Sequence, residues 1–196
     1  MSTNREKYLN ANPLVRFTVQ RFLHDMTAVV AQLAPKSLLD AGCGEGFVTA
    51  RIAVALPECR IEAVDINADS IAFAMRYNAR VNITYRIADL LATDEPGARY
   101  DIVICSEVLE HIADCAMVLQ RLAGQCVGHL VLSVPNEPWF SLANLARLRH
   151  VWRGGSDPEH VQWWTRAGFA RAIEPVGSLV RMQRSTFWNI AVVAVR

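Results

Sequence analysis

The stretch Ser37-Leu-Leu-Asp-Ala-Gly-Cys-Gly-Glu-Gly-Phe-Val-Thr-Ala-Arg51 decides how the chain folds. A short apolar run ends on Asp40, and glycines follow at every second position, at Gly42, Gly44 and Gly46. Beyond them the apolar residues recur mostly at three- and four-residue steps, which is the period of a helix. Glycine lets the backbone turn sharply and approach a ligand closely. The stretch therefore predicts a strand, a tight loop and a helix whose first N–H groups suit an anion.

Two classes of ligand use such a loop, and Asp40 separates them. A dinucleotide fingerprint reads G-x-G-x-x-G and places a pyrophosphate at the helix N-terminus. Here the third glycine comes one residue early, and Phe47 stands where that fingerprint requires glycine. A carboxylate at the loop mouth repels a pyrophosphate but attracts the ammonium of S-adenosylmethionine, whose carboxylate the loop N–H groups would bind. The remaining alternative is an ordinary glycine-rich turn without a ligand.

The segment Leu-Asp-Ala-Gly-Cys-Gly-Glu-Gly, residues 39–46, resembles motif I of the class I S-adenosylmethionine-dependent methyltransferases, including the type 11-like small-molecule enzymes. The resemblance extends from about Ser37 to the C-terminus. It implies an α/β fold, a Rossmann-like doubly wound sheet of seven strands in the order 3-2-1-4-5-7-6. Strand 7 would be antiparallel, and helices would cover both faces. Motif I identifies the superfamily and leaves the methyl acceptor open.

Further residues are expected to bind the donor at the ends of the strands. Asp65 ends the second strand and lies 19 positions beyond Gly46, where an acidic residue accepts hydrogen bonds from ribose hydroxyls. Ile66 is placed to pack on the adenine. Ligands of open parallel sheets bind where the strand order reverses, so the fourth strand should deliver Ser106 to the same cleft.

The third strand leads to a pair that resembles the adenine-contacting residues of the family, Asp89 and Leu90. The Asp89 carboxylate would accept a hydrogen bond from the adenine amino group. The alternative is a turn-forming aspartate, because aspartate favours turns in any case.

The segment after the fourth strand carries an acidic and imidazole motif, Glu107, Glu110 and His111. On a helical turn, positions i, i+3 and i+4 share one face. This E-x-x-E-H, followed at a distance by His160, is similar to the small-RNA 3′-terminal 2′-O-methyltransferases, and a comparable motif recurs in the ubiquinone-pathway O-methyltransferases. In metal-using families these four residues would ligate Mg²⁺ or Mn²⁺, and the ion would ease deprotonation of an acceptor hydroxyl.

Two alternatives to a metal site remain open for the same residues. In methyltransferases that need no metal, His111 would act as a base or position the acceptor, with Glu107 and His160 as further catalytic candidates. A purely structural role is the third interpretation, and a loop histidine such as His160 is often simply exposed.

The chain order predicts one domain over residues 1–196, with a helical cap (1–34) and a lid-like insertion (137–164). Residues 1–12 are expected to form a loose arm with Tyr8 as its anchor, followed by a helix from Pro13 or Leu14 to about Ala34. The predicted strands after motif I are near Arg60–Ile66, Ile83–Ala88, Tyr100–Cys105, His129–Val134, Leu179–Trp188 and Asn189–Val195. Within the insertion, an amphipathic helix is expected over Trp139–Trp152, with a basic cluster at Arg147, Arg149, His150 and Arg153.

Composition limits the partners. The 196 residues carry a formal net charge of +1, which gives no global field for nucleic acid or membrane, so any such preference must be local. No run of 18 apolar residues exists, and residues 1–12 lack a signal peptide's apolar core. Five scattered cysteines suit a reducing cytoplasm.

These features favour a methyltransferase acting on a small molecule, at oxygen, as a monomer or homodimer without a membrane partner. A metal-dependent 2′-O-methyltransferase of RNA 3′ ends is the alternative, although the chain has no RNA-binding appendage. A non-catalytic protein of the same fold and a nicotinamide oxidoreductase are the remaining hypotheses.

Overall fold

Seven strands form one sheet in the computed structural model, which describes residues 3–90, 99–146, 152 and 160–196. The strands are β1 (Ser37–Ala41), β2 (Arg60–Asp65), β3 (Ile83–Ile87), β4 (Tyr100–Ser106), β5 (Cys126–Pro135), β6 (Gly177–Ser185) and β7 (Trp188–Val195). Their order is β3-β2-β1-β4-β5-β7-β6. Strands β1 to β5 pair in parallel, and β7 is antiparallel to both of its neighbours. The predicted order and the antiparallel seventh strand are confirmed.

Seven helices accompany the sheet in the described part of the chain. They are α1 (Thr3–Tyr8), α2 (Pro13–Leu33), α3 (Phe47–Ala55), α4 (Ala68–Tyr77), α5 (Cys115–Gly124), α6 (Trp139–Ala146) and α7 (Arg166–Ile173). Asn67 and Thr165 cap α4 and α7, because their side chains accept N–H bonds in the first turns of these helices.

The loose arm predicted at the N-terminus is wrong for residues 3–8, which form helix α1. A six-residue helix is too short to be stable by its own hydrogen bonds. Contacts of Arg5, Lys7 and Tyr8 with the body of the domain supply the missing stabilisation.

Buried apolar side chains alternate between the two faces of the central strands, because successive residues of a strand point to opposite sides. Leu38 and Ile102 pack with Phe22 and Met26 of α2 and with Ile52 of α3. On the other face the neighbouring strand residues, Leu39 and Val103, pack with Leu119 of α5 and Phe169 of α7. Helices therefore cover both faces, as predicted.

The strand order reverses between β1 and β4. The chain leaves β1 toward β2 on one side and leaves β4 toward β5 on the other. Parallel strands end at the same edge, so the loops after β1, β2, β3 and β4 meet beside this point. The ends of these strands and the loops that follow them carry Asp40 to Gly46, Asp65, Asp89 and Glu107 to His111.

The insertion after β5 begins with the predicted helix, which the structure places at Trp139–Ala146. The rest of the prediction, to Trp152, and the basic cluster at 147, 149, 150 and 153 fall largely outside the described residues. Across the described ranges, none of the helices combines the length and the apolar character needed to span a bilayer. The five cysteines are free thiols, and the reducing compartment expected from them stays a prediction.

Candidate active site

The loop between β1 and α3 has the backbone that only glycines tolerate well. Gly42, Gly44 and Gly46 have φ angles of 81°, 54° and 76°, all in the left-handed region. A Cβ on Gly42 would lie 2.4 Å from Cγ2 of Val108, and one on Gly46 would lie 2.5 Å from the Tyr85 hydroxyl oxygen. The loop is thus fixed both by conformation and by close approach of its neighbours.

Asp40 lies at the end of β1 with its side chain facing the start of α3. It is 2% exposed, and its Oδ2 accepts a 2.6 Å hydrogen bond from the Thr49 hydroxyl. Burial raises the pKa of Asp40 to about 6, the Thr49 bond opposes that rise, and the charge of Asp65 adds to it. A buried carboxylate of this kind would be stabilised by a cationic ligand, and the ammonium contact expected for Asp40 stays a prediction.

Thr49 is a site residue that sequence reasoning missed. It is fully buried and stabilises the ionised form of Asp40. The signal was present, because Thr49 is a hydroxyl residue in the first turn of an otherwise largely apolar helix, Phe47–Ala55.

Asp65 fixes the glycine loop to the end of β2. Its Oδ2 accepts a 2.7 Å bond from the Gly44 N–H, and its Oδ1 accepts a 2.8 Å bond from the Asn67 N–H. Each carboxylate oxygen has a second lone pair, so the group retains acceptor capacity for a ligand hydroxyl. Ile66 follows directly and is 67% exposed, which leaves its side chain accessible.

Asp89 and Leu90 follow one residue after the end of β3, and both are half-buried. Leu90 packs against the apolar cluster on the α5 side of the sheet. Its carbonyl oxygen accepts a 3.4 Å bond from the Arg121 guanidinium. The pair therefore lies at the same edge of the sheet as the loops after β1 and β2.

Ser106 ends β4, and its hydroxyl shares a 2.9 Å hydrogen bond with the buried Ser133 hydroxyl of β5. The next residue, Glu107, has a φ of 57°. Its N–H donates to the Ser133 carbonyl oxygen at 3.0 Å, and its carboxylate pairs with Lys7 of α1. The β4 end is therefore connected both to β5 and to the N-terminal helix.

The helical face predicted for Glu107, Glu110 and His111 is wrong. The left-handed backbone at Glu107 interrupts any helix there, and the chain makes only a 3₁₀ turn over Leu109–His111. The following helix, α5, begins at Cys115 with Asp114 as its N-cap. Among the described residues Glu107 is not part of the cluster that the other three residues form.

Glu110, His111 and His160 do come together. Each offers one ligand atom, and these atoms lie within 4.8 Å of one another. The ring centroids of the two histidines are 5.0 Å apart. Glu110 and His160 are buried, whereas His111 is exposed. One carboxylate and two imidazoles are a suitable ligand set for a divalent ion that keeps other coordination positions open. The three residues therefore fit such an ion.

Backbone hydrogen bonds assemble this cluster from two distant segments. The Glu110 carbonyl oxygen accepts the N–H groups of Val161 at 2.8 Å and Gln162 at 3.1 Å. The Phe140 ring of α6 lies 5.6 Å from the His160 ring, centroid to centroid. His160 is therefore buried and held in place rather than exposed as a loop histidine often is, and its role stays a prediction.

The N-terminal helix lies over the glycine loop. The Tyr8 ring stacks on the Phe47 ring at 4.6 Å with an interplanar angle of 10°. The Arg5 guanidinium lies 3.7 Å from Glu45, a loop residue that is 1% exposed. Burial raises the pKa of Tyr8, and the charges of Glu107, Asp40 and Glu45 raise it further. These three carboxylates of the site therefore disfavour ionisation of the Tyr8 hydroxyl.

Comparisons with known proteins agree with this geometry. A family model described as a methyltransferase domain matches residues 15–178. An uncharacterized methyltransferase of Mycobacterium tuberculosis is 30% identical over 142 residues. The match covers 72% of this chain and 65% of that protein, so the chain spans just under two thirds of this relative.

Two further similarities are more distant. A ubiquinone biosynthesis O-methyltransferase of Bordetella bronchiseptica is 36% identical over 95 residues, which are 46% of this chain and 38% of that protein. Magnesium protoporphyrin IX methyltransferase of Synechocystis PCC 6803, solved with bound S-adenosylhomocysteine, superposes with a TM-score of 0.71 at 24% identity. That match covers 98% of this chain and 92% of the other and shows a shared fold.

Proposed function

The chain belongs to the class I S-adenosylmethionine-dependent methyltransferases, and on that premise we propose that it methylates an oxygen of a small-molecule acceptor. The observation that carries the donor half of this proposal is the buried Asp40 carboxylate beside a glycine loop. The likeness to a ubiquinone biosynthesis O-methyltransferase supports an oxygen acceptor. The domain would include residues 1–34 as a cap and 137–164 as a lid.

The donor would lie across the loops after β1, β2 and β3. Asp40 would bind the ammonium, and the N–H groups of the glycine loop would bind the carboxylate. The acceptor capacity of Asp65 suits the ribose hydroxyls. Ile66 and Leu90 would pack on the adenine faces, Asp89 would accept from the adenine amino group, and Ser106 would line the cleft.

Methyl transfer needs an aligned acceptor more than it needs activation of the donor. A lone pair of the acceptor oxygen would form the new C–O bond as the C–S bond breaks, leaving neutral S-adenosylhomocysteine. His111 is the exposed member of the histidine pair and would take the hydroxyl proton. The buried His160 and Glu110 would hold its imidazole in position.

Transfer of a labelled methyl group tests this function. The protein would be incubated with S-adenosylmethionine carrying a tritiated methyl group and a panel of phenols, catechols, carboxylic acids and short RNAs. Label in a small hydroxylated acceptor, abolished in His111→Ala, supports the proposal. A folded protein that binds the donor but labels no member of the panel contradicts it.

The cluster of Glu110, His111 and His160 favours a second candidate, a metal-dependent 2′-O-methyltransferase of RNA 3′ ends. The two imidazoles make Mn²⁺ a better fit than Mg²⁺, which prefers oxygen ligands. When bound, the ion would act as a Lewis acid on the terminal ribose hydroxyls. Glu107 would not be one of its ligands.

Manganese binding separates the two candidates. Electron paramagnetic resonance would measure free Mn²⁺ in titrations of the wild type and of His160→Ala, with the exposed His24→Ala as the matched control. Tight binding that His160→Ala removes, together with label in RNA ending in a 2′-hydroxyl but not in 2′-deoxy RNA, supports the RNA enzyme. Full activity without Mn²⁺ contradicts it.

A further inference from the structure

Helix α1 is fastened to the donor site at three successive points. Arg5 pairs with Glu45 in the glycine loop, and its guanidinium lies 4.1 Å from the Phe73 ring centroid. Tyr8 stacks on Phe47, the first residue of α3. Between them, Lys7 pairs with Glu107 at the end of β4. The helix thus contacts the loops on both sides of the point where the strand order reverses.

The ion pair of Lys7 and Glu107 is more than a surface contact. The two side chains are 24% and 17% exposed, respectively. The Lys7 ammonium also lies 4.8 Å from the Tyr8 ring centroid and 5.6 Å from that of Trp188. Partial burial and two aromatic faces strengthen a charge pair that would contribute little in bulk solvent. The contact therefore holds both side chains in defined positions.

Glu107 itself is held in an unfavourable conformation. Residues with a side chain rarely adopt the left-handed region, so the surroundings of Glu107 must impose its φ of 57°. The Oε1 oxygen of Glu107 is buried and accepts no hydrogen bond from any residue that the structure describes. A buried acceptor left without a donor in a native protein calls for a ligand group or a water.

We propose that Lys7 is a positioning residue, which fixes the Glu107 carboxylate beside the methyl donor and couples closure of α1 to donor binding. This inference rests on the proposed donor site. Lys7 binds one carboxylate oxygen and leaves Oε1 to accept a hydrogen bond from a bound ligand. Because Tyr8 stacks on Phe47 and Arg5 pairs with Glu45, α1 covers the glycine loop where the amino-acid end of the donor would bind, and it would move aside for exchange.

Charge reversal at both ends of the pair tests the coupling. Stopped-flow fluorescence would measure the dissociation rate constant of S-adenosylhomocysteine from the wild type, Lys7→Glu, Glu107→Lys and the double variant. We expect each single reversal to speed dissociation about tenfold. The double variant restores the ion pair but not the carboxylate that faces the ligand, so it should dissociate about tenfold faster than the wild type, rather than about 100-fold faster as two independent effects would give. Lys7→Arg should retain slow dissociation, because it keeps the charge.

The control is Arg16→Glu, which reverses a charge on the exposed first turn of α2. This variant should have a dissociation rate constant for S-adenosylhomocysteine within twofold of the wild-type value. Equal rate constants for the wild type and Lys7→Glu, or a double variant as fast as the two singles combined, would overturn the inference while leaving the proposed function intact. Failure of the wild type to bind S-adenosylhomocysteine would overturn the proposed function instead. If Lys7→Glu does not fold, Lys7→Gln provides the same comparison.

Discussion

The donor and acceptor halves of the site are built in opposite ways. The donor half is local, since Asp40, the three glycines and Thr49 come from ten consecutive positions whose backbone conformation sets the geometry. The acceptor half is assembled at long range, because His160 reaches Glu110 and His111 through backbone hydrogen bonds across about 50 residues of chain. Donor binding should therefore survive substitutions in the acceptor half. Few substitutions within the glycine loop should leave donor binding intact.

The largest effect should come from the acceptor half and should leave donor binding intact. His111→Ala removes the exposed imidazole of the cluster, so kcat for the acceptor found by the labelling screen should fall about 100-fold or more. The dissociation constant of S-adenosylhomocysteine, measured by titration calorimetry, should stay within twofold. His24→Ala is the matched control. A parallel loss of donor affinity would show that the two halves are not separate.

The next largest effect should come from the loop. Gly42→Ala forces a Cβ to within 2.4 Å of Val108 at a φ of 81°, and displacement of the loop should weaken donor binding about 100-fold. The melting temperature should also fall by about 3–8 °C.

Gly124→Ala is the control for that substitution, because its added Cβ would meet nothing within 4 Å. It should leave donor affinity unchanged and leave the melting temperature equal or slightly higher, since alanine is the better helix former. If Gly42→Ala bound the donor normally, the account of the loop would be wrong.

A smaller effect should appear as pH dependence. The pKa of Asp40 is raised to about 6 by burial, and only the ionised carboxylate attracts an ammonium. Donor affinity should therefore be full above pH 7 and should fall about tenfold per unit as pH drops below 6. Calorimetry between pH 5 and pH 8 measures this directly.

Thr49→Val sharpens the same test. The hydrogen bond from Thr49 lowers the pKa of Asp40, so its removal should raise the pKa and move the midpoint of the affinity curve to higher pH. Asp40→Asn should bind weakly with no such midpoint. An unchanged midpoint in Thr49→Val would show that the carboxylate is not the titrating group.

The smallest effect should be at the adenine end. Ile66 is 67% exposed, so Ile66→Ala should change stability by less than about 0.5 kcal/mol. Loss of its contact with the adenine should weaken donor binding about fivefold. Val81→Ala, at an apolar side chain that is even more exposed, should change neither quantity. Equal donor affinity for Ile66→Ala and the wild type would remove Ile66 from the site.

The sequence was informative wherever geometry is local. Alternating glycines predict left-handed backbone, and an apolar strand ending on aspartate predicts the position of Asp40, so the loop and the sheet order follow from pattern and resemblance. The pattern of Glu107, Glu110 and His111 misled, because spacing indicates a shared face only if the segment is helical. The residue types around Glu107 do not predict its left-handed φ, because that conformation is expected from the sequence only at a glycine.

Contacts between distant segments were not predictable for a different reason. Lys7 and Glu107 are 100 positions apart, and neither residue type differs from those on an ordinary solvated surface. The same holds for the docking of Val161 on Glu110, since any residue other than proline offers the N–H. Such contacts depend on how the completed sheet positions its loops.

A crystal structure with S-adenosylhomocysteine would show which groups of the protein bind the amino-acid end of the donor. We expect the ligand ammonium to lie within about 3 Å of the Asp40 carboxylate and the ligand carboxylate to face the N–H groups of the loop at residues 42–46. Ligand density elsewhere, or an ammonium that contacts other groups while Asp40 contacts none of the ligand, would contradict it.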